Sequence, residues 1–105
     1  MEEPVLLFCT VPDVGTARRL AHLLVEKRLA ACVSYDEPVH SVYRWQGKME
    51  EALEWKLTIK TVRRRFHEVK TLIVAHHPYD LPEIVCTPVT AGLPAYLEWI
   101  KQETA

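Results

Sequence analysis

Side chains that can bind metals or carry protons gather in two places in this chain. The stretch AHHPYDLPEIV, residues 75 to 85, sets His76 and His77 side by side before Pro78, with Tyr79, Asp80 and Glu83 close behind. Near the start, the segment FCTVPD carries Cys9. Imidazole together with thiolate suits copper or zinc, so a metal site is one chemistry these residue types allow. Neighbouring helical positions diverge by about 100° around the axis, however, so a regular helix does not let His76 and His77 chelate one ion as a pair four residues apart does. Pro78 should end a helix there, and an irregular backbone beyond it can turn both rings to one side. The residues by themselves favour a structural use of the doublet: one ring caps the last helical carbonyls with the help of the helix dipole, and the other packs or meets solvent.

Other chemistry finds less support. Glycine occurs only at positions 15, 47 and 92, from which no phosphate-cradling loop can be built. Ser34 and Ser41 are the only serines and neither sits in a nucleophile elbow, while a Cys9–His76 nucleophile pair would depend on a proximity that sequence does not supply. The reading is therefore a binding protein and not an enzyme. The three cysteines, Cys9, Cys32 and Cys86, include no CxxC pair and lie within apolar runs, which makes them reduced thiols of the core type. His22, His40 and His67 are scattered singly and read as surface or interface residues.

At 105 residues, with 49% hydrophobic and 26% charged, the chain is expected to be one globular domain over residues 1–105. Thirteen basic and 14 acidic side chains leave a formal net charge of −1, so the long-range field that gathers nucleic acid is missing. The local run Arg63-Arg64-Arg65 reads as a solvated first helical turn. The start MEEPVLLFCTVPD is acidic with a short apolar run, which fits neither a secretory signal nor a membrane span and places the protein in the cytoplasm.

The elements that must position these residues follow from periodicity. Pro4 to Val11 is a strand stopped by Pro12, and Asp13 is a helix N-cap. Ala17, Leu20, Ala21 and Leu24 then mark an amphipathic helix to about Arg28. A strand region runs from Ala31 to Gln46, interrupted at Asp36-Glu37-Pro38, and Gln46-Gly47-Lys48 makes a tight turn. Leu53, Trp55, Leu57 and Ile59 alternate with Glu54, Lys56, Thr58 and Lys60, giving a strand with one apolar and one charged face. Phe66, Val69 and Ile73 share a stripe with His76 or His77 on a second helix. Glu83 to Val89 is a further strand, and Gly92-Leu93-Pro94 leads into a last helix. The order is βαββαβ with an extra C-terminal helix: an α+β, ferredoxin-like antiparallel sheet with both main helices on one face.

The first strand is apolar on both faces, Val5, Leu7, Cys9 and Val11 on one and Leu6 and Phe8 on the other, whereas two helices cover only one side. An open face of that kind calls for a partner, and Tyr43, Trp45, Trp55 and Trp99 are anchors of the sort buried at interfaces. A homo-oligomer is expected. The alternative is that these aromatics fold onto their own sheet and the third helix covers the rest.

Five blocks, in order and at matching spacing, carry a family resemblance along nearly the whole chain. They are Cys9-Thr10-Val11-Pro12-Asp13, the run from Leu24 to Val33, Ser41 to Lys48, Ile59-Lys60-Thr61, and His77-Pro78-Tyr79 with Pro82-Glu83 and Gly92 with Tyr96-Leu97-Glu98-Trp99. In these the chain resembles the divalent-cation tolerance proteins of the CutA family; Asp80 stands where that family often has Glu. The resemblance implies a cytoplasmic, ferredoxin-like homotrimer, similar in build to the PII signalling proteins, that binds copper or a similar divalent metal. It also implies the metal ligands Cys9, His76 and His77. A second reading keeps the oligomer and dispenses with a physiological metal: a PII-like small-ligand sensor, with a cleft between subunits formed by the Trp45 hairpin and the 76–83 loop, or a scaffold that anchors other proteins.

Overall fold

The computed structural model describes residues 2–105 and runs β1 (Pro4–Val11), α1 (Val14–Glu26), β2 (Cys32–Tyr35), β3 (Val39–Trp45), β4 (Lys48–Val62), a 3-10 turn (Arg63–Arg65), α2 (Phe66–His76), β5 (Val85–Pro88) and α3 (Pro94–Glu103). The sheet is antiparallel in the order β2-β4-β1-β5, with β3 paired to the first half of β4. This is the ferredoxin-like arrangement, with the middle strand region split by Asp36-Glu37-Pro38 into β2 and β3 as its proline requires.

Alternation along β1 sorts its side chains. Val5, Leu7, Cys9 and Val11 are fully buried, paired in register with the face of β4 that holds Leu57 and Ile59, and packed under Ala17, Leu20, Leu24, Val69 and Ile73 of α1 and α2. The opposite face carries Leu6, Phe8 and Thr10, all half-buried. There α3 covers one end, where Ile100 and Leu97 pack on Ala31 and Val62. Farther along, the Lys56 ammonium lies 4.6 Å from the centre of the Phe8 ring, so a lysine stem shields part of the face that α3 leaves open.

Local chemistry fixes the helix ends. The Asp13 carboxylate accepts from the Thr16 backbone N–H at 2.7 Å and from the Thr16 hydroxyl at 3.0 Å, so it caps α1 as expected. At the other end Leu29 N–H bonds the Leu24 carbonyl and Arg28 N–H that of Val25, the Schellman closure, with Arg28 at φ 59° in the left-handed position. Gln46 and Gly47, at φ 51° and 80°, form the two-residue turn that matches strand twist and joins β3 to β4.

The arginine run is paired rather than merely solvated: Arg63 with Glu3, Arg64 with Glu2 and Arg65 with Glu68. Arg64 and Arg65 also donate to the Thr104 carbonyl, tying the end of α3 to the body. Among the described residues no helix is long and apolar enough to cross a membrane.

Trp55 follows the alternation read from the sequence and is not an exposed anchor like the other three aromatics named with it. It shares the parity of Leu57 and packs against the core under the helices, whereas Tyr43, Trp45 and Trp99 stand exposed.

Candidate functional site

Two neighbouring groups of side chains occur where the end of β1 meets the segment after α2. In the first, Pro78 forces His77 into an extended conformation (φ −88°, ψ 135°), which turns its ring off the helix and onto β1. The His77 Nδ1 accepts from the Tyr79 backbone N–H at 3.1 Å, so the neutral ring carries its proton on Nε2, which donates to the Thr10 carbonyl at 2.8 Å. Both nitrogens are thus engaged within the chain. His76, the last residue of α2, is exposed, as are His22, His40 and His67.

Cys9 lies beside Thr10 but points into the helix-covered core. Its thiol is fully buried, and burial, with the Glu83 and Glu54 carboxylates adding to it, pushes its pKa up to about 12. The donor types of Cys9, His76 and His77 suit copper, but the single chain does not assemble them: one is sealed and neutral, one has both nitrogens bonded and one faces solvent. Among the described residues no three His, Cys, Asp or Glu side chains converge as a metal-binding set.

The second group lines a cleft of about 600 Å³ between the β3–β4 hairpin and the 78–83 loop. Period-two alternation places Ser41, Tyr43 and Trp45 on one face of β3, and the antiparallel register (Val39 opposite Glu54, Tyr43 opposite Glu50) puts Glu54 on that same face. Glu54 is only 6% exposed, and its carboxylate accepts from the Tyr79 hydroxyl at 2.8 Å. Burial first, and that carboxylate next, push the Tyr79 phenol well above the usual tyrosine range. Across the cleft Thr10 donates to Glu83 at 3.4 Å. The His77 and Tyr79 rings lie 4.9 Å apart, so one short segment forms both groups.

The sequence pointed to Tyr79, Asp80 and Glu83 as neighbours of the histidines and to a cleft between subunits at the Trp45 hairpin and the 76–83 loop; the cleft seen here lies between those two segments of one chain. Sequence reasoning missed Glu54, which alternation presents as one more charge on a solvated face. The available signal was its place among the even-numbered residues of β4, on the side that Ser41, Tyr43 and Trp45 share.

A ferredoxin-like sheet with a helix-end loop folded over the end of its central strand, and an acidic, aromatic cleft beneath a hairpin, defines a small α+β domain. The match to the family model described as CutA1 divalent ion tolerance protein covers residues 5–103, and the chain belongs to that family. It is 45% identical over 104 residues to the divalent-cation tolerance protein CutA of Thermus thermophilus, covering 99% of each chain. To the chloroplastic protein CutA of Arabidopsis thaliana it is 37% identical over 100 residues, spanning 95% of this chain but 55% of that longer relative. The crystal structure of CutA from Xylella fastidiosa superposes with a TM-score of 0.95 at 43% identity, covering 98% of this chain and 99% of that one.

Proposed function

We propose that the protein serves divalent-cation tolerance by binding rather than turnover, as a homotrimer, with copper or a similar divalent metal taken at Cys9, His76 and His77. The observation that supports this reading is the seating of the His77 ring on the carbonyl of Thr10, the residue next to Cys9 in the chain, which ties the histidine segment to the strand that carries the thiol. Occupancy there needs the Cys9 thiol to lose its proton and a His77 nitrogen to change partners, so copper affinity should rise with pH.

Assembly is supported by the outer face of the hairpin, where Val42, Met49 and Leu53 are 63%, 68% and 52% exposed on one side of the ladder. Three exposed apolar side chains on one face of an uncovered arm are what a subunit contact buries. Replacing all three by aspartate should lower the mass seen by light scattering at micromolar concentration; an unchanged mass, or a monomeric wild type, contradicts the trimer.

The metal reading is tested by equilibrium dialysis with copper under reducing conditions, comparing wild type with a Cys9→Ser, His76→Ala, His77→Ala variant of equal mass. Binding near one ion per chain that the variant loses places the metal at these residues. Equal binding in both, or none in either, removes them from the metal site.

A second reading rests on the cleft itself: a sensor of a small ligand held between the β3–β4 hairpin and the 78–83 loop. Its volume and its mixture of aromatic walls with a few polar groups match the usual anatomy of a small-molecule site.

A further inference from the structure

We propose that the cleft binds a small organic ammonium ion, an aliphatic amine or diamine, an inference that rests on reading the cleft as a ligand site. Glu54 carries the argument. The residue is only 6% exposed, and one carboxylate oxygen accepts from Tyr79 while the other takes no hydrogen bond from any described residue. Every deeply buried side-chain oxygen or nitrogen among the described residues has a partner, so this free oxygen keeps some accessible surface, and Glu54 lines the cleft. Neither Glu54 nor Asp80 nor Glu83 forms an ion pair among the described residues. A carboxylate withdrawn from water is costly unless a positive charge accompanies it. The chain supplies a hydroxyl there but no ion pair among the described residues, and the ligand brings the missing charge.

The rest of the cleft selects the kind of cation. Metal ions need several oxygens within roughly 2.0–2.6 Å of one point, and these carboxylates do not converge that way. An ammonium group asks for less, because each N–H reaches one acceptor at about 2.7–2.9 Å and the carbon chain spans what lies between. Tyr43 and Trp45 face the cleft from β3, and aromatic faces attract organic cations at centroid distances of about 6 Å. Asp80 and Glu83, on the opposite wall, are placed for a second ammonium. Arg44 is the one cationic side chain among the described lining residues, and it alternates away from Tyr43 and Trp45 along β3, so the acidic character of the floor stands.

The test is a titration of the ¹⁵N-labelled full chain with 1,4-diaminobutane, with sodium glutarate as the anionic counterpart, reading the Trp45 indole and Tyr79 amide signals. The expected result is saturable shifts of both with diaminobutane, at a dissociation constant of about 1 mM or tighter, and none with glutarate. Glu54→Gln keeps the side-chain size and an acceptor for Tyr79, and it should weaken diaminobutane at least about tenfold with the spectrum otherwise intact. Shifts with glutarate alone would overturn the ammonium assignment and leave the cleft a ligand site for anions. Silence with both probes would overturn the assignment and the ligand-site reading together. Diaminobutane binding unchanged in Glu54→Gln would show that the buried carboxylate does not recognise the ligand, and would overturn the proposal.

Discussion

The two halves of β4 have the same backbone and opposite fates. From Trp55 to Val62 the strand lies between β1 and β2, and Leu57 and Ile59 are fully buried beneath the helices. From Lys48 to Glu54 it pairs only with β3, and Met49 and Leu53, at the same parity as Leu57, are mostly exposed. Hydrogen-bonded ladders form in both halves, so pairing does not distinguish them. Coverage by α1 and α2 does. Stability resides where helices press on the sheet, and the half they do not reach stays exposed.

The sharpest way to break this contrast is to truncate one side chain in each half. Ile59→Ala should cost about 2–5 kcal/mol in urea unfolding, because it opens a cavity in a closed core. Leu53→Ala should stay within about 0.5 kcal/mol for the chain's own fold, its effect appearing instead in assembly. Equal losses would mean that the arm is as integral as the body.

A smaller effect is expected at the junction of the halves, where Tyr79→Phe leaves the Glu54 carboxylate without its donor and should cost about 1–2 kcal/mol. The bond has a pH signature. Because the folded phenol titrates above its unfolded value, its contribution is complete below the ordinary tyrosine pKa of about 10 and is lost as pH rises past it. The gap in urea midpoint between wild type and Tyr79→Phe should therefore shrink from neutral pH towards about pH 11.

Thiol labelling sharpens the same contrast without a substitution. Cys9, sealed in the covered face with its thiol held neutral, should react with an alkylating reagent only as the protein unfolds, while the half-buried Cys32 and Cys86 react first. The smallest effect belongs to Asp13, whose carboxyl is held below the usual range by the Thr16 N–H. Its contribution is present above the unfolded carboxylate pKa and fades as pH falls through the lower folded value, so Asp13→Asn and wild type should converge in acid.

Much of this architecture was legible because covered strands and helices announce themselves by period. β1, the apolar half of β4, the Asp13 cap and the stop at Pro78 all follow from residue type and spacing. The outer half of β4 was not legible, since Lys48-Met49-Glu50-Glu51 has no alternation; its strand is imposed by pairing with β3 across the Gln46-Gly47 turn. The last strand was read as Glu83–Val89 and is shorter, Val85–Pro88, because the 78–83 loop is drawn over the end of β1 by His77 and Tyr79 instead of entering the sheet. The Glu54–Tyr79 contact joins residues far apart in sequence, and nothing in either segment signals the other. The histidine doublet was legible as a helix end, and its second nitrogen bond became visible only in three dimensions.

The position of β1 at the middle of the sheet sets the order in which this chain can fold. Its register joins Val11 to Trp55 and Val5 to Pro88, so β1 has no strand partner until β4 and then β5, which follow it in the chain, have been made. Its most apolar residues must wait, and contacts so distant in sequence close slowly. Of all the segments, VLLFCTV is therefore the one whose protection during synthesis matters most to the yield of folded protein.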